Sequence, residues 1–151
     1  INCLKKAKIK YRIHRYDHDP VSRAYGEEAA EKLNIPFDQI FKTLVVSVEN
    51  KDLFIAVVPV SKQLDLKKFV KAIGSKKAKM ADKNDVERTT GYILGGVSPI
   101  GQKKQLTTII DSSALNFDTV YVSAGRRGLQ IAISPQDLGS QTGAKNFKIS
   151  K

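Results

Sequence analysis

From Ile9 the chain alternates, with Ile9, Tyr11 and Ile13 on one face of an extended segment and Arg12, His14 and Tyr16 on the other. Glu27 to Leu33 then reads as a short helix, with acids in its first turn, where the helix dipole favours them, and Pro36 just past its end. Phe41 to Val48 and Leu53 to Val60 are apolar, β-branched runs joined by Glu49-Asn-Lys-Asp52, and predict an antiparallel hairpin. Asp65 to Gly74 is amphipathic: Leu66, Phe69, Val70 and Ile73 form the stripe, Asp65 a cap and Gly74 an end. A second helix opens near Asp82, carries Val86 inward and ends at Gly91. Strands follow at Gln105 to Asp111, Thr119 to Ser123 and Leu129 to Ile133, the last two joined by the turn Ala124 to Gly128. Ser134-Pro-Gln-Asp-Leu138 starts a helix, which makes Asp137 a structural first-turn acid, and residues 2–8 read as the end of another. Together these elements predict one mixed α/β (α+β) domain over residues 1–151, a curved, mostly antiparallel sheet surrounded by helices.

Gly91 to Lys104 breaks this rhythm, because four glycines and one proline in fourteen residues specify a backbone path rather than a packed face. Gly95, Gly96 and Gly101 make either a tight connection between strands or a loop whose N–H groups meet an anionic or carbonyl oxygen. Gln102 stands where a phosphate-binding loop needs lysine, Pro99 removes a donor, and Gly-x-Gly-x-x-Gly is missing. Binding of ATP, GTP or a dinucleotide is therefore not expected.

Lys42 is out of place, since alternation sets it on the face of Leu44, Val46 and Val48. An ammonium there either reaches water along its stem or serves a site as a donor to a carbonyl, phosphate or ribose hydroxyl. His14 and His18, four residues apart in an extended segment, stand about 13 Å from one another and do not share a metal ion without a bend.

The net charge of +11, from 26 basic and 15 acidic residues, favours a polyanionic partner. Lys67, Lys68, Lys71, Lys76, Lys77, Lys79 and Lys83 crowd one segment with Asp82 as its only acid. That segment is either a solvated helix face or a tRNA backbone-binding patch. One cysteine, Cys3, forms no internal disulfide, no run is long enough to span a membrane, and the cytosol is the expected compartment. Neither a metal nor any other cofactor is expected. The inventory also lacks a convincing nucleophile with its base: Ser98 and Ser123 have no histidine in an obvious partnering motif. Such a chain suits a site that orients a substrate whose own group attacks.

The Gly91 to Lys104 stretch, with Tyr16-Asp-His-Asp-Pro20, Gly26 to Leu33, Phe41-Lys-Thr-Leu44 and Tyr121 to Gly128, closely resembles the YbaK/EbsC family of aminoacyl-tRNA deacylases. Five motifs fall in the family's order and cover nearly the whole chain. The resemblance implies a fold shared with the editing domain of prolyl-tRNA synthetases. It also implies hydrolysis of mischarged tRNA in trans, chiefly Cys-tRNA(Pro), with the cysteinyl thiol attacking its own carbonyl and leaving as a thiolactone, a lyase-type release. It places Lys42 in the substrate pocket as the residue deacylation is most sensitive to losing, with Tyr16 and Thr43 lining the aminoacyl and acceptor end. Gly95, Gly96, Ser98, Pro99 and Gly101 would hold the carbonyl and terminal ribose, and Ser123 and Gly125 would form the opposite wall. Thr43, where the Ala-specific branch has asparagine, leans toward the Cys branch, while Ala124, where glycine is common, leaves that wall's shape open. The partners implied are aminoacylated tRNA and prolyl-tRNA synthetase. Two other readings stand beside it: a non-catalytic RNA-binding module, and a deacylase for Ala or Ser.

Overall fold

Ile55, Ala56, Val57 and Val58 are all fully buried, so the sheet they belong to is covered on both faces. The computed structural model describes residues 9–19, 25–49, 52–93 and 96–151. In chain order its elements are β1 (Arg12–Arg15), α1 (Tyr25–Leu33), β2 (Phe41–Val48), β3 (Leu53–Pro59), α2 (Leu66–Ile73), β4 (Ala78–Met80) and α3 (Lys83–Thr90). There follow β5 (Thr108–Asp111), a 3-10 turn (Ser112–Asn116), β6 (Val120–Ser123), β7 (Leu129–Ile133), α4 (Pro135–Thr142) and β8 (Lys145–Phe147). The expected helix end at 2–8, Cys3, the tip of the β2–β3 turn and Gly95 lie outside the described residues.

The strands form an antiparallel sheet, β1-β7-β6, and a mixed sheet, β4-β2-β3-β5-β8. In the second, β4, β2 and β3 run antiparallel while β5 and β8 add on in parallel. A single parallel bridge, Ile40 to Tyr121, joins the start of β2 to β6 and bends one sheet toward the other. The main core fills the space between them, from Phe41, Val45 and Val57 on one side to Val122, Ile131 and Ile133 on the other, with Val86, Val97, Ile100 and Leu138 closing the ends. On the opposite face of the mixed sheet, Val46, Ala56, Val58 and Ile109 take Phe69 of α2. The Asp65 carboxylate accepts the Lys67 and Lys68 N–H groups, and Gly74 ends α2 at φ 74°, as the pattern predicts.

Three local expectations differ from the fold. Ile13 is 37% exposed although Ile9 and Tyr11 of the same face pack against the main core, and the opposite face is not left to solvent, because Tyr16 packs into the α1 cluster. The strand expected from Gln105 starts at Thr108, because the Gln102 side chain accepts the Leu106 N–H and the Thr108 hydroxyl donates to the Leu106 carbonyl, which holds that stretch in a local turn. Strands β4 and β8 carry too few apolar residues to read as strands, and exist through pairing with Val46 to Val48 and Ile109 to Asp111. The chain's last residues are clasped by buried Asp111, whose Oδ1 accepts the N–H groups of Ile149 (2.9 Å) and Ser150 (3.0 Å). No helix among the described residues is long and apolar enough to cross a membrane.

Candidate functional site

Four consecutive residues in the first turn of α1 hold four separate parts of the chain. The Tyr25 ring lies 4.4 Å from the Arg127 guanidinium. Gly26 sits so close to the end of the β2–β3 hairpin that a Cβ there would stand 2.6 Å from Val60 Cγ2. Glu27 is near enough to Lys42 to favour its charged form. Glu28, buried, accepts from Nδ1 of His18 at 2.6 Å and from the Asp19 N–H at 2.7 Å. A turn that reads from sequence as scaffold therefore touches the Tyr16 segment, the β6–β7 turn and the end of the β2–β3 hairpin, and brings a carboxylate toward Lys42.

The Tyr16 segment docks on that turn. Its N–H donates to the Gly128 carbonyl at 3.0 Å, and a Cβ on Gly128, at φ +89°, would meet the Tyr16 carbonyl oxygen at 2.9 Å. Burial raises the pKa of the Tyr16 phenol; the Gly128 backbone opposes this, the Glu28 carboxylate adds to it, and the Gln130 side chain opposes it again. On the far side of the same turn a Cβ on Gly96 would lie 2.8 Å from Arg126 Cα. What approaches Gly96 is thus the Arg126 and Arg127 backbone, and the Gly96 N–H is already donated to the Ile93 carbonyl at 2.9 Å. Gly125, at φ +108°, faces the Tyr92 ring, whose hydroxyl donates in a three-centre bond to the carbonyls of Ile100 (2.7 Å) and Gly101 (3.0 Å). Tyr92 is the clamp between the glycine segment and the wall at Ser123 to Gly125. Ala124 needs no left-handed backbone and packs against the main core, so alanine fits there without strain.

Two serines spend their hydroxyl oxygens locally: Ser98 Oγ accepts the Ile100 N–H and Ser123 Oγ the Gly125 N–H, both at 3.2 Å. Pro99 is buried beside Ser98. Lys42 is half-buried; burial pulls its pKa below the ordinary lysine value, and Glu27 partly restores it. Thr43 leaves the opposite face of β2, between Phe41 and Val45, and its Oγ1 is buried without a partner. Gln130 Oε1 and His14 Nε2 share that condition. Pairing register places His14, Gln130 and Ser123 side by side across β1, β7 and β6, a polar row next to Tyr16. Sequence reading passed over Gln130 and Glu28, because a polar residue in an alternating strand and an acid in a first helical turn both read as solvated.

The lysine-rich segment does not form a single helix face. Lys67 and Lys71 are exposed on α2, Lys76 and Lys77 in the following connection, and Lys79 on edge strand β4 opposite Ser47. Lys68 donates to the Ser150 carbonyl at 3.0 Å and so helps hold the C-terminal segment. Ser47 is five residues from Lys42 along β2, about 17 Å, so the β4 part of this charge flanks the far end of the strand. Among the described residues no group of three or more His, Cys, Asp and Glu side chains converges. The chemically notable groups are an ammonium of lowered pKa, a phenol of raised pKa and a row of partly unsatisfied polar side chains.

A family model described as the aminoacyl-tRNA editing domain matches residues 18–140. The chain is 40% identical over 152 residues to EbsC of Enterococcus faecalis, named as a candidate Cys-tRNA(Pro)/Cys-tRNA(Cys) deacylase, with 99% of this chain and 91% of that protein covered. It is 26% identical over 141 residues to the prolyl-tRNA editing protein ProX of Acetoanaerobium sticklandii, covering 89% of this chain and 83% of the other. The solved structure of a candidate trans-editing enzyme for prolyl tRNA synthetase superposes with a TM-score of 0.83 at 25% identity, over 99% of this chain and 93% of that one.

Proposed function

We propose, for a chain that belongs to the aminoacyl-tRNA editing domain family, that it deacylates mischarged tRNA, with Cys-tRNA(Pro) its foremost substrate. The observation that carries the reading is Lys42, a half-buried cation with no apolar purpose on a sheet face, its charge favoured by Glu27. An ammonium so placed donates to the ester carbonyl and stabilises the negative charge that develops there during attack. Tyr16 and Pro99 line the aminoacyl and terminal-ribose end, and Thr43, on the opposite face of β2, lies behind the strand rather than in the pocket. Gly96 and Gly101 shape its floor, and Ser123 and Gly125 its wall.

The attacking group is the substrate's own thiol. Its sulfur forms a bond to the ester carbonyl carbon, the bond from that carbon to the ribose oxygen breaks, and the thiol proton ends on that oxygen. The thiolactone released is then opened by water. Ser98 fits this scheme as a residue that closes a turn, since its oxygen already accepts the Ile100 N–H. Selection among tRNAs falls to the surface around the pocket or to a prolyl-tRNA synthetase partner.

The experiment is release of the amino acid from Cys-, Ser- and Ala-tRNA(Pro), each with wild-type protein and with Lys42→Ala. The proposal expects fast release of cysteine, little of serine or alanine, and loss of release in the variant. Serine leaving as fast as cysteine would refute the thiol's role, and an undiminished Lys42→Ala protein would refute the site.

A further inference from the structure

The polar face of the small sheet does not end at the Ser123, Gln130 and His14 row. It continues through Tyr121, Ala132 and Arg12 to the start of α4, and there it opens as a cleft of about 870 Å³. His14 belongs to both places: it lines the cleft, stands opposite Gln130, and is two residues, about 7 Å, from Tyr16. The cleft's charged groups are Lys10, Arg12 and Asp137, and among the described residues none of the three makes an ion pair. Its inner wall is the His14 ring packed edge-on against Tyr121 at 5.4 Å, with Nε2 of His14 buried and lacking a partner.

Two cations and a carboxylate outside any ion pair among the described residues, beside an aromatic wall, make a mixed recognition set. An acidic peptide uses only the cations, and an apolar ligand uses none of the charges. A nucleotide uses all of them: phosphate oxygens pair with Lys10 and Arg12, an exocyclic base amino group donates to Asp137, and the base lies against Tyr121. From this we infer that the cleft is a subsite for an unpaired nucleotide of the RNA strand whose terminal residue enters the Lys42 pocket. This rests on the proposed activity toward charged tRNA and adds where the strand lies. A carboxylate accepts from cytosine N4 and repels a carbonyl oxygen at that position, so the subsite favours an amino-bearing pyrimidine over uracil.

The test is fluorescence anisotropy of the full chain with a labelled short single-stranded RNA ending in CCA and a matched one ending in UUA, over a range of salt. Wild type is expected to favour the CCA end about tenfold. Lys10→Gln with Arg12→Gln should lower the salt slope by about 0.7 for each phosphate that is no longer neutralised. Asp137→Asn should erase the preference between the two ends, with thermal melting checked to show that the helix start is intact. Equal wild-type affinity for both ends, an unchanged salt slope in the double variant, or equally strong competition by an acidic peptide of matched charge would each overturn the inference. The probe carries no amino acid, so a protein that never deacylates tRNA can still pass. A deacylase whose RNA runs elsewhere fails, and the two readings fall separately.

Discussion

Nδ1 of His18 donates to the Glu28 carboxylate at 2.6 Å, and this bond fastens the Tyr16 segment to the first turn of α1. Burial alone would raise the Glu28 pKa, but His18, the Asp19 N–H and Lys32 together hold it below its ordinary 4.5. The pair's stabilisation is therefore complete above that value and is lost as pH falls through the depressed one. Glu28→Gln should cost about 1.5 to 3 kcal/mol at pH 7, the worth of hydrogen bonds to a charged group. Denaturant melts from pH 7 to pH 3 should show the variant losing less stability on acidification than wild type; parallel curves would mean that the carboxylate does not carry the contact.

Gly96 and Gly139 make a contrasting pair. A Cβ on Gly96 would stand 2.8 Å from Arg126 Cα and 3.1 Å from Arg127 N, and backbone atoms do not step aside as a side-chain tip does. Gly96→Ala should destabilise by about 1 to 3 kcal/mol and push the glycine segment off the β6–β7 turn, lowering deacylation more than stability alone explains. Gly139 lies inside α4 with nothing within 4 Å of its Cβ position. Gly139→Ala should gain about 0.5 to 1 kcal/mol from helix propensity. Thermal melts of the two single variants check both signs.

How far the fold was legible follows from which interactions are local. Period-two runs at Phe41 to Val48 and Leu53 to Pro59 dictate their own pairing, and the caps at Asp65, Ser134 and Gly74 act within a few residues. The glycine segment announced a close approach, but nothing in its sequence says that the Arg126 backbone is what approaches Gly96. Lys42 stood out because a charge on an apolar face is a local contradiction. Gln130 and Glu28 did not, since their burial depends on α1 packing with Tyr16 and Tyr121 and on β7 pairing between β1 and β6, tertiary events with no period of their own. Thr43 follows Lys42 in the chain, yet strand alternation sends its buried hydroxyl to the other face.

Asp111 shows the same non-local logic in the scaffold. Its Oδ1 accepts the Ile149 and Ser150 N–H groups and its Oδ2 accepts the Ser113 hydroxyl at 2.5 Å. Burial works against the charged carboxyl, but these donors hold its pKa below the ordinary 3.8, so this contribution too is present above that value and disappears as acid protonates the group. Asp111→Ala would leave buried N–H donors unpaired, at an expected cost of about 2 to 4 kcal/mol. Amide hydrogen exchange should locate the loss: Ile149 and Ser150 exchange faster in the variant, while the β2–β3 ladder keeps its relative protection. Uniform acceleration across the chain would instead mean that Asp111 supports the whole fold.

Lys42 separates function from stability most sharply, because its charge and its burial oppose each other. Burial lowers its pKa below the ordinary 10.5, and Glu27 only partly restores it, so the unfolded chain binds its proton more tightly than the folded one. Stability then rises with pH between the depressed and the ordinary value, and below that window the buried ammonium is a net cost. Lys42→Met keeps the apolar stem and removes the charge. It should melt at or above the wild-type temperature while deacylation falls by about a hundredfold or more, the scale seen when one donor to a developing oxyanion is lost. The same titration sets an alkaline limit to activity, where Lys42 loses its proton earlier than an exposed lysine would. Glu27→Gln removes the group that favours the charge and should move that limit to lower pH. A pH–rate profile of the two proteins decides the matter: coincident alkaline limbs would mean that the ammonium of Lys42 takes no part in the reaction.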